Sequence, residues 1–484
     1  MSKTFFLAGA AGIAGICFCT ASKTPEPEAA KPMQQGTSVT GFYNDTCAKC
    51  HGANGEGGGG GTRTLLTADK YDQKLDRPFF DAIKNGVPDM GMEAYGASMS
   101  DEQIWAQVVH IRELQAKALR REHGSPQAVN GVYHSKRQNF RLETVAEEGL
   151  RLPWSVDWLP DGKMLVTNRS GALNVFDKGR RGSIEGLPAS VEHGQGGLME
   201  VAVHPDYAKN GWLYLSYTEQ KDRGFMTKIV RGKLSFTGEN GRFSDQQTIW
   251  EADPKFYTGT GIHFGSKIVF DGKGHVFFSV GERGSNMLAQ QLANPWGKIY
   301  RLNEDGSEPA DNPFIGIEGA IKGTWSYGHR NPQGLTIDAK GQLWDTEHGP
   351  RGGDELNRIE KGANYGWPAV SFGINYNDTP FRLPWPKPDQ KINLPVFRWT
   401  PSIGASGFKP VSGNAYPQWK GDLIAGGLSG ANVDRFRIKD GTLIEREELL
   451  HGLGRVRDIG IGRDGLVYVV LNDPDKIVKL VPVP

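Results

Sequence analysis

One recurring pattern limits what this chain can fold into. Six times between residues 154 and 470 an alternating apolar stretch meets a tight glycine-bearing turn and a second apolar stretch. The copies are "WSVDWLPDGKMLVTN" (154–168), "MEVAVHPDYAKNGWLYLSY" (199–217), "SKIVFDGKGHVFFSV" (266–280), "QGLTIDAKGQLWDTE" (333–347), "NAYPQWKGDLIAG" (414–426) and "VRDIGIGRDGLVYVV" (456–470). Each reads as two half-buried strands joined by a turn. A lone hairpin cannot bury both of its faces, and recurrence at this spacing marks an array whose neighbours bury them for one another. A ring of packed four-stranded sheets also protects the strand edges. The expected fold is an all-β six-bladed β-propeller; an open sandwich accounts less well for six similar units. "FRLETVAE" (140–147) and "DKIVKLVPVP" (475–484) are placed to pair and close the ring. The 65 glycines suit a chain with so many tight connections.

Ahead of this region stands "TCAKCHG" (46–52), and no cysteine follows Cys50. A C-x-x-C-H run offers Cys47 and Cys50 as thiols for attaching haem c and His51 as an iron ligand. The absence of a second Cys/His cluster nearby weighs against zinc. A methionine opposite the histidine would stabilise ferrous iron, and "GVPDMGMEAYGASMSDEQIWAQVVHI" (86–111) supplies Met90, Met92 and Met99. Ser100 reads as the N-cap of a helix carrying Ile104, Trp105, Val108 and Val109. This stretch resembles the C-terminal part of small bacterial cytochromes c. The resemblance implies a small all-α cytochrome c domain over 37–120 with Met92 as the second iron ligand, Met90 the alternative, and Met99 packed near the helix start. His110 and His123 read as surface or satisfied helix histidines. The "GEGGGGG" run (55–61) lacks the Lys-Ser/Thr of a phosphate loop and reads as a flexible loop.

Lys3, an apolar run from Phe5 to Phe18 and the small residues Thr20, Ala21 and Ser22 form an export-signal pattern over 1–21, too short to span a bilayer comfortably. A flexible tether over 22–36 follows. The expected location is periplasmic, where resemblance to bacterial c-type cytochromes also places haem attachment. A lipid anchor through Cys17 or Cys19 is the alternative, ahead of a retained membrane anchor. Rising polarity marks 121–138 as a linker, leaving 139–484 for the propeller. With 56 Lys+Arg against 55 Asp+Glu, no net field favours nucleic acid.

Polar, glycine-flanked segments fall between the strands, where propellers gather their chemistry. "GHRNPQGL" (328–335), "EHGPRGGDE" (347–355) and "GANYGWP" (362–368), in that order, resemble the soluble pyrroloquinoline quinone (PQQ)-dependent aldose sugar dehydrogenases, and the likeness runs from about Leu142 onward. It implies an enzyme oxidising an aldose at PQQ with calcium, the haem draining the electrons toward a downstream periplasmic acceptor.

On that resemblance His263 in "GIHFG" is the catalytic base, a role that suits an imidazole titrating near working pH, and Glu282 in "VGERG" orients it. Gln195 and Arg330 contact substrate; Arg330, Asn331, Asp354, Ser402, Arg455 and Arg457 bind PQQ, arginines being suited to its carboxylates. The carbonyls of Gly349 and Pro350 hold calcium. Lys267 stands where many relatives have arginine, and Ile262, Phe397 and Ser429 depart from the glucose-oxidising members. His204 and His329 read as turn braces, and His348 as either brace or site residue. Arg455 and Arg457 have the further reading of solvent-facing partners of Asp458.

Overall fold

The computed structural model describes residues 38–58 and 63–483. The expected signal and tether, and residues 59–61 of the glycine run, lie outside them. Among the described residues no helix is long and apolar enough to cross a membrane.

Each repeated sequence unit forms an antiparallel hairpin. The closing pairs are Trp158↔Met164, Val203↔Leu213, Phe270↔Val276, Ile337↔Leu343, Pro410↔Leu423 and Ile461↔Val467. The turn glycine of each unit (Gly162, Gly211, Gly274, Gly341, Gly421, Gly465) has φ between +66° and +94°. A residue with a Cβ is strained there, which is why glycine recurs at this position.

Two further strands complete each of three separate four-stranded sheets, which begin at Ile268–Phe270, Pro332–Ile337 and Ala405–Pro410. The two units before them share one eight-stranded sheet, because Arg180–Glu185 lies parallel to Asn240–Trp250. In the last unit Phe140–Ala146 pairs antiparallel with Lys476–Pro482, Leu142 facing Leu480, as the sequence leads one to expect. The first strands of successive units, Pro153–Trp158, Leu198–Val203, Ile268–Phe270, Pro332–Ile337, Ala405–Pro410 and Arg455–Ile461, touch in chain order, and the last touches the first. Apolar clusters fill the spaces between sheets, with Trp399 and Trp419 fully buried.

At the ring centre Lys267 Nζ bonds Glu200 Oε2 (2.8 Å) and Asp458 Oδ1 (2.7 Å), all three side chains being buried. One cation thereby ties together three sheets.

The N-terminal region is helical. Its longest helix, Asp101–His123, opens with a reciprocal capping box: Gln103 N–H donates to Ser100 Oγ (3.3 Å) and Ser100 N–H to Gln103 Oε1 (2.8 Å). Val39, Phe42, Phe80, Ile83, Met99, Ile104 and Trp105 form its core, which Phe372 and Ile374 of the sheet region join. The segment expected as a linker is built into the structure. The helix continues to His123, and Ala128–Val129 pairs with Val132–Tyr133, which extends the closing sheet at Phe140.

Candidate active site

His263 lies just before the strand Ile268–Phe270 at φ +54°, a left-handed backbone that costs a residue with a side chain about 1–2 kcal/mol. Arg283 holds the segment there. Its guanidinium donates to the carbonyls of Ile262 and Thr260 (2.5 Å to the latter) and lies 3.4 Å from the Phe264 ring centre. Gly281 makes room, since a Cβ there would come within 2.2 Å of the His263 carbonyl oxygen. Sequence reasoning did not single out Arg283, although it falls within "VGERG".

His263 Nδ1 is hydrogen-bonded to Glu282 Oε1, and Glu282 Oε2 accepts the Asn286 N–H (2.6 Å). A carboxylate accepting at Nδ1 fixes the ring proton there and leaves the Nε2 lone pair for a substrate. Burial lowers the pKa of His263; the Glu282 bond opposes this and the Arg330 charge adds to it. Burial would raise the Glu282 carboxyl, but the His263 bond, the His263 and Arg330 charges and the Asn286 N–H together outweigh it and hold the group below its ordinary value. Gln195, exposed on the rim, accepts the His263 N–H (2.9 Å), so the proposed substrate contact adjoins the proposed base.

Arg330, His348 and Arg457 gather beside this pair. Arg330 Nη1 donates to the Gly349 carbonyl (2.9 Å), and Arg457 Nη1 donates to Gln333 Oε1 (3.0 Å) while its guanidinium lies 4.1 Å from the Trp154 ring centre. Burial together with the Arg330 and Arg457 charges pushes His348 down to about 3, keeping it neutral. Arg330 Nε, His348 Nε2 and Arg457 Nε are buried without a hydrogen-bond partner. Such groups are costly unless a ligand satisfies them. Two arginine donors suit a polycarboxylate, so the site fits PQQ.

Arg455 is exposed. Asp458 bonds Lys267 and the Val156 N–H (3.2 Å), so the reading of the two arginines as its partners is replaced. Asn331 Oδ1 accepts from Gly265 N–H (3.2 Å) and Gln333 Nε2 (3.2 Å), bracing the floor of the site. His348, Gln333, Trp154 and Tyr376 complete the surroundings. The first two lie within quoted motifs and Trp154 opens the first repeat, whereas nothing in the sequence marks Tyr376.

Asp354 and Ser402 are taken up within the loops. Asp354 accepts from the backbone N–H groups of Gly349 (3.0 Å), Ile403 (3.1 Å) and Ala405 (2.9 Å). Ser402 Oγ donates to the Pro350 carbonyl (2.9 Å) and accepts from Gly352 N–H (2.9 Å). The carbonyls expected to hold calcium are engaged as well. Gly349 O accepts from Arg330 and from Tyr376 OH (3.3 Å), and Pro350 O from Ser402 and Gly353 N–H (3.0 Å). With these lone pairs committed and a guanidinium against them, this arrangement does not fit a divalent cation.

Phe397 packs with Trp399 and Phe436 away from these groups. His204 braces its turn by accepting the Asp206 N–H (2.9 Å). His329 links Ser326 to Glu347 in the interior.

In the helical region Cys47 and Cys50 are not joined in a disulfide, and His51 Nδ1 is buried without a hydrogen-bond partner; two thiols and an imidazole in this order are a donor set that fits attached haem. Met92 packs against the cluster that also receives Cys47, Met99 lies in that core, and Met90 is 60% exposed. Replacing Met92 with alanine should therefore abolish the methionine–iron absorption band and lower the haem potential, whereas Met90→Ala should change neither. Spectra of the two variants decide the ligand. His110 is only 4% exposed and neither ring nitrogen has a hydrogen-bond partner, which corrects its reading as a surface or satisfied histidine. Its ring packs against Tyr43 of the same region, with ring centres 4.8 Å apart.

Residues 150–479 match the family described as Glucose / Sorbosone dehydrogenase, and residues 34–111 match Cytochrome C oxidase, cbb3-type, subunit III. Aldose sugar dehydrogenase YliI of Escherichia coli is 38% identical over 347 residues, 70% of this chain and 92% of that protein. The solved soluble aldose sugar dehydrogenase from Escherichia coli in its apo-form superposes with a TM-score of 0.65 at 36% identity, covering 71% of this chain and all of that one (100%). The PQQ-bound form of aldose sugar dehydrogenase from Streptomyces coelicolor gives 0.58 at 28% identity, covering 71% and 98%.

Proposed function

Because the chain belongs to the glucose/sorbosone dehydrogenase family and carries a cytochrome c domain ahead of it, we propose that it oxidises cyclic aldoses to lactones with PQQ and passes the electrons to a covalently attached haem c. The observation that carries this reading is the His263–Glu282 pair beside the unpartnered nitrogens of Arg330, His348 and Arg457.

Bound PQQ would supply the electrophilic carbonyl that accepts hydride from the sugar C1. His263 Nε2 takes the proton of the anomeric hydroxyl, and Glu282 stabilises the imidazolium that results. Arg330 and Arg457 pair with carboxylates of the cofactor, and Gln195 meets sugar hydroxyls at the rim. Arg283 keeps His263 in register, so the base is positioned before substrate arrives.

We read the ring as a six-bladed propeller, supported by the closed sequence of first-strand contacts. The N-terminal pattern supports export to the periplasm, with a lipid anchor as the alternative, and the haem would pass its electrons to a soluble or membrane-bound acceptor there. A calcium-dependent lactonase would require free carboxylates at the ring centre, where Glu200 and Asp458 are already paired with Lys267.

The test is to follow the haem spectrum as aldoses are added to protein reconstituted with PQQ. Reduction that requires both sugar and PQQ is expected; no PQQ-dependent oxidation across a broad aldose panel would point to a non-enzymatic sugar-binding propeller. Because His263 must be neutral to accept a proton and its pKa is lowered from 6.5, the acid limb of kcat/KM should have its midpoint below 6.5. Activity is kept above that midpoint and lost as pH falls through it. A midpoint above 6.5 would assign the base to another group.

A further inference from the structure

The helix Asp101–His123 lies directly on the loop that carries Gly349 and Pro350. A Cβ on Gly352 would stand 2.9 Å from Val109 Cγ1, so the backbone of that loop touches the helix. Arg351, next in the chain after Pro350, grips Glu113 of the helix with two parallel bonds, Nε to Oε1 (2.7 Å) and Nη2 to Oε2 (2.6 Å). Its remaining arm, Nη1, reaches Asp378 Oδ1 (2.8 Å).

Asp378 in turn accepts from the N-terminal region: its Oδ2 from Thr40 N–H (2.9 Å), its Oδ1 from Thr40 Oγ1 (3.2 Å), and its carbonyl from Val39 N–H (2.8 Å). Trp105 Nε1 donates to the Phe372 carbonyl (3.1 Å) across the same contact. Glu113 is 6% exposed. A bidentate pair on a buried carboxylate, with this much support, holds orientation as well as proximity. A module swinging on a tether would leave these groups in water.

We infer that this clamp is the docking contact for internal electron transfer and that Glu113 is a positioning residue, holding the haem module against the loop that borders the sugar-oxidising site. The inference rests on the relay proposed above. An aldose becoming a lactone gives up two electrons and two protons. The electrons cross one at a time, each converting ferric haem to ferrous, and a one-electron acceptor from outside re-oxidises the haem between them; the protons leave to solvent.

The experiment uses the full chain, haem-loaded and reconstituted with PQQ, carrying Glu113→Gln. Stopped-flow reduction of the haem by sugar should slow at least tenfold, while sugar-driven reduction of an added dye stays within twofold of wild type. Hydrogen exchange, which does not depend on turnover, should quicken in residues 349–353 and 371–378, and the haem spectrum should be unchanged. Thr40→Val, which removes one link to Asp378 and spares the charged pair, should slow the haem by less.

Haem reduction within twofold of wild type in Glu113→Gln overturns the inference. Parallel loss of dye and haem reduction also overturns it, since Glu113 would then support the sugar site. A wild-type protein that reduces dye and never its own haem removes the relay and the clamp's role in it. A protein that reduces neither removes the dehydrogenase reading itself.

Discussion

Replacing His263 with alanine should lower sugar-driven kcat/KM by roughly 10²–10⁴, the contribution of a well-placed general base. Reduction of added dye and of haem should fall together, because the lost step precedes both. The geometry makes the effect specific. Glu282 fixes the proton on Nδ1, so no other nitrogen of the ring can serve, and the neighbouring Arg330 guanidinium offers donors and no acceptor, so it cannot substitute. Removal of the ring also strands a carboxylate with no exposed surface. His263→Asn, which can keep a donor near Glu282, is therefore the companion variant, and both should retain PQQ binding measured by fluorescence quenching. A variant that binds PQQ and keeps more than a tenth of wild-type kcat/KM would remove His263 from the base role.

The second large effect concerns stability. Lys267→Ala should destabilise the sheet region by about 3–5 kcal/mol, the cost of leaving buried charge unpaired. Glu200 and Asp458 come from the second and last units, so both would face one another across the ring centre without a cation. Burial opposes the charge on Lys267, but Asp458 and Glu200 outweigh it and raise its pKa above 10.5. The Lys267 contribution is accordingly full at neutral pH and is lost as pH rises through that raised value, while on the acid side the triad weakens as Glu200, whose carboxyl burial pushes up, takes a proton. Denaturant unfolding of Lys267→Ala and Lys267→Arg gives the check: arginine, which keeps a cation, should cost less, and equal losses would mean that the centre is governed by packing volume.

Local patterns made much of this legible in the chain. The glycine turns, the C-x-x-C-H run and the Ser100 cap each depend on residues close in sequence. Pairing of Phe140–Ala146 with Lys476–Pro482 was also readable, because a ring of hairpins needs a partner for each open edge. The Arg351–Glu113 pair was not, since two single charged residues far apart in sequence carry no periodicity. His110 read as a surface or satisfied helix histidine for the same reason: its burial against Tyr43 joins two residues far apart in sequence, which no periodicity records. Asp354 sits within a cofactor-type motif and the resemblance assigned Ser402 to PQQ, yet their oxygens serve the loop backbone, a distinction that depends on hydrogen-bond geometry alone.

The strand that closes the ring also sets an order of events during synthesis. Cys47, Cys50, His51 and Met92 all emerge before any sheet is made, so haem can be joined to a chain whose ring does not yet exist. Arg351 and Asp378 arrive next and give the finished cytochrome a surface to settle on. Lys476–Pro482 comes later still, and until it does Phe140–Ala146 remains an unpaired edge open to other chains. A nascent chain halted before Lys476 would thus carry its whole cytochrome domain beside an unclosed, aggregation-prone ring.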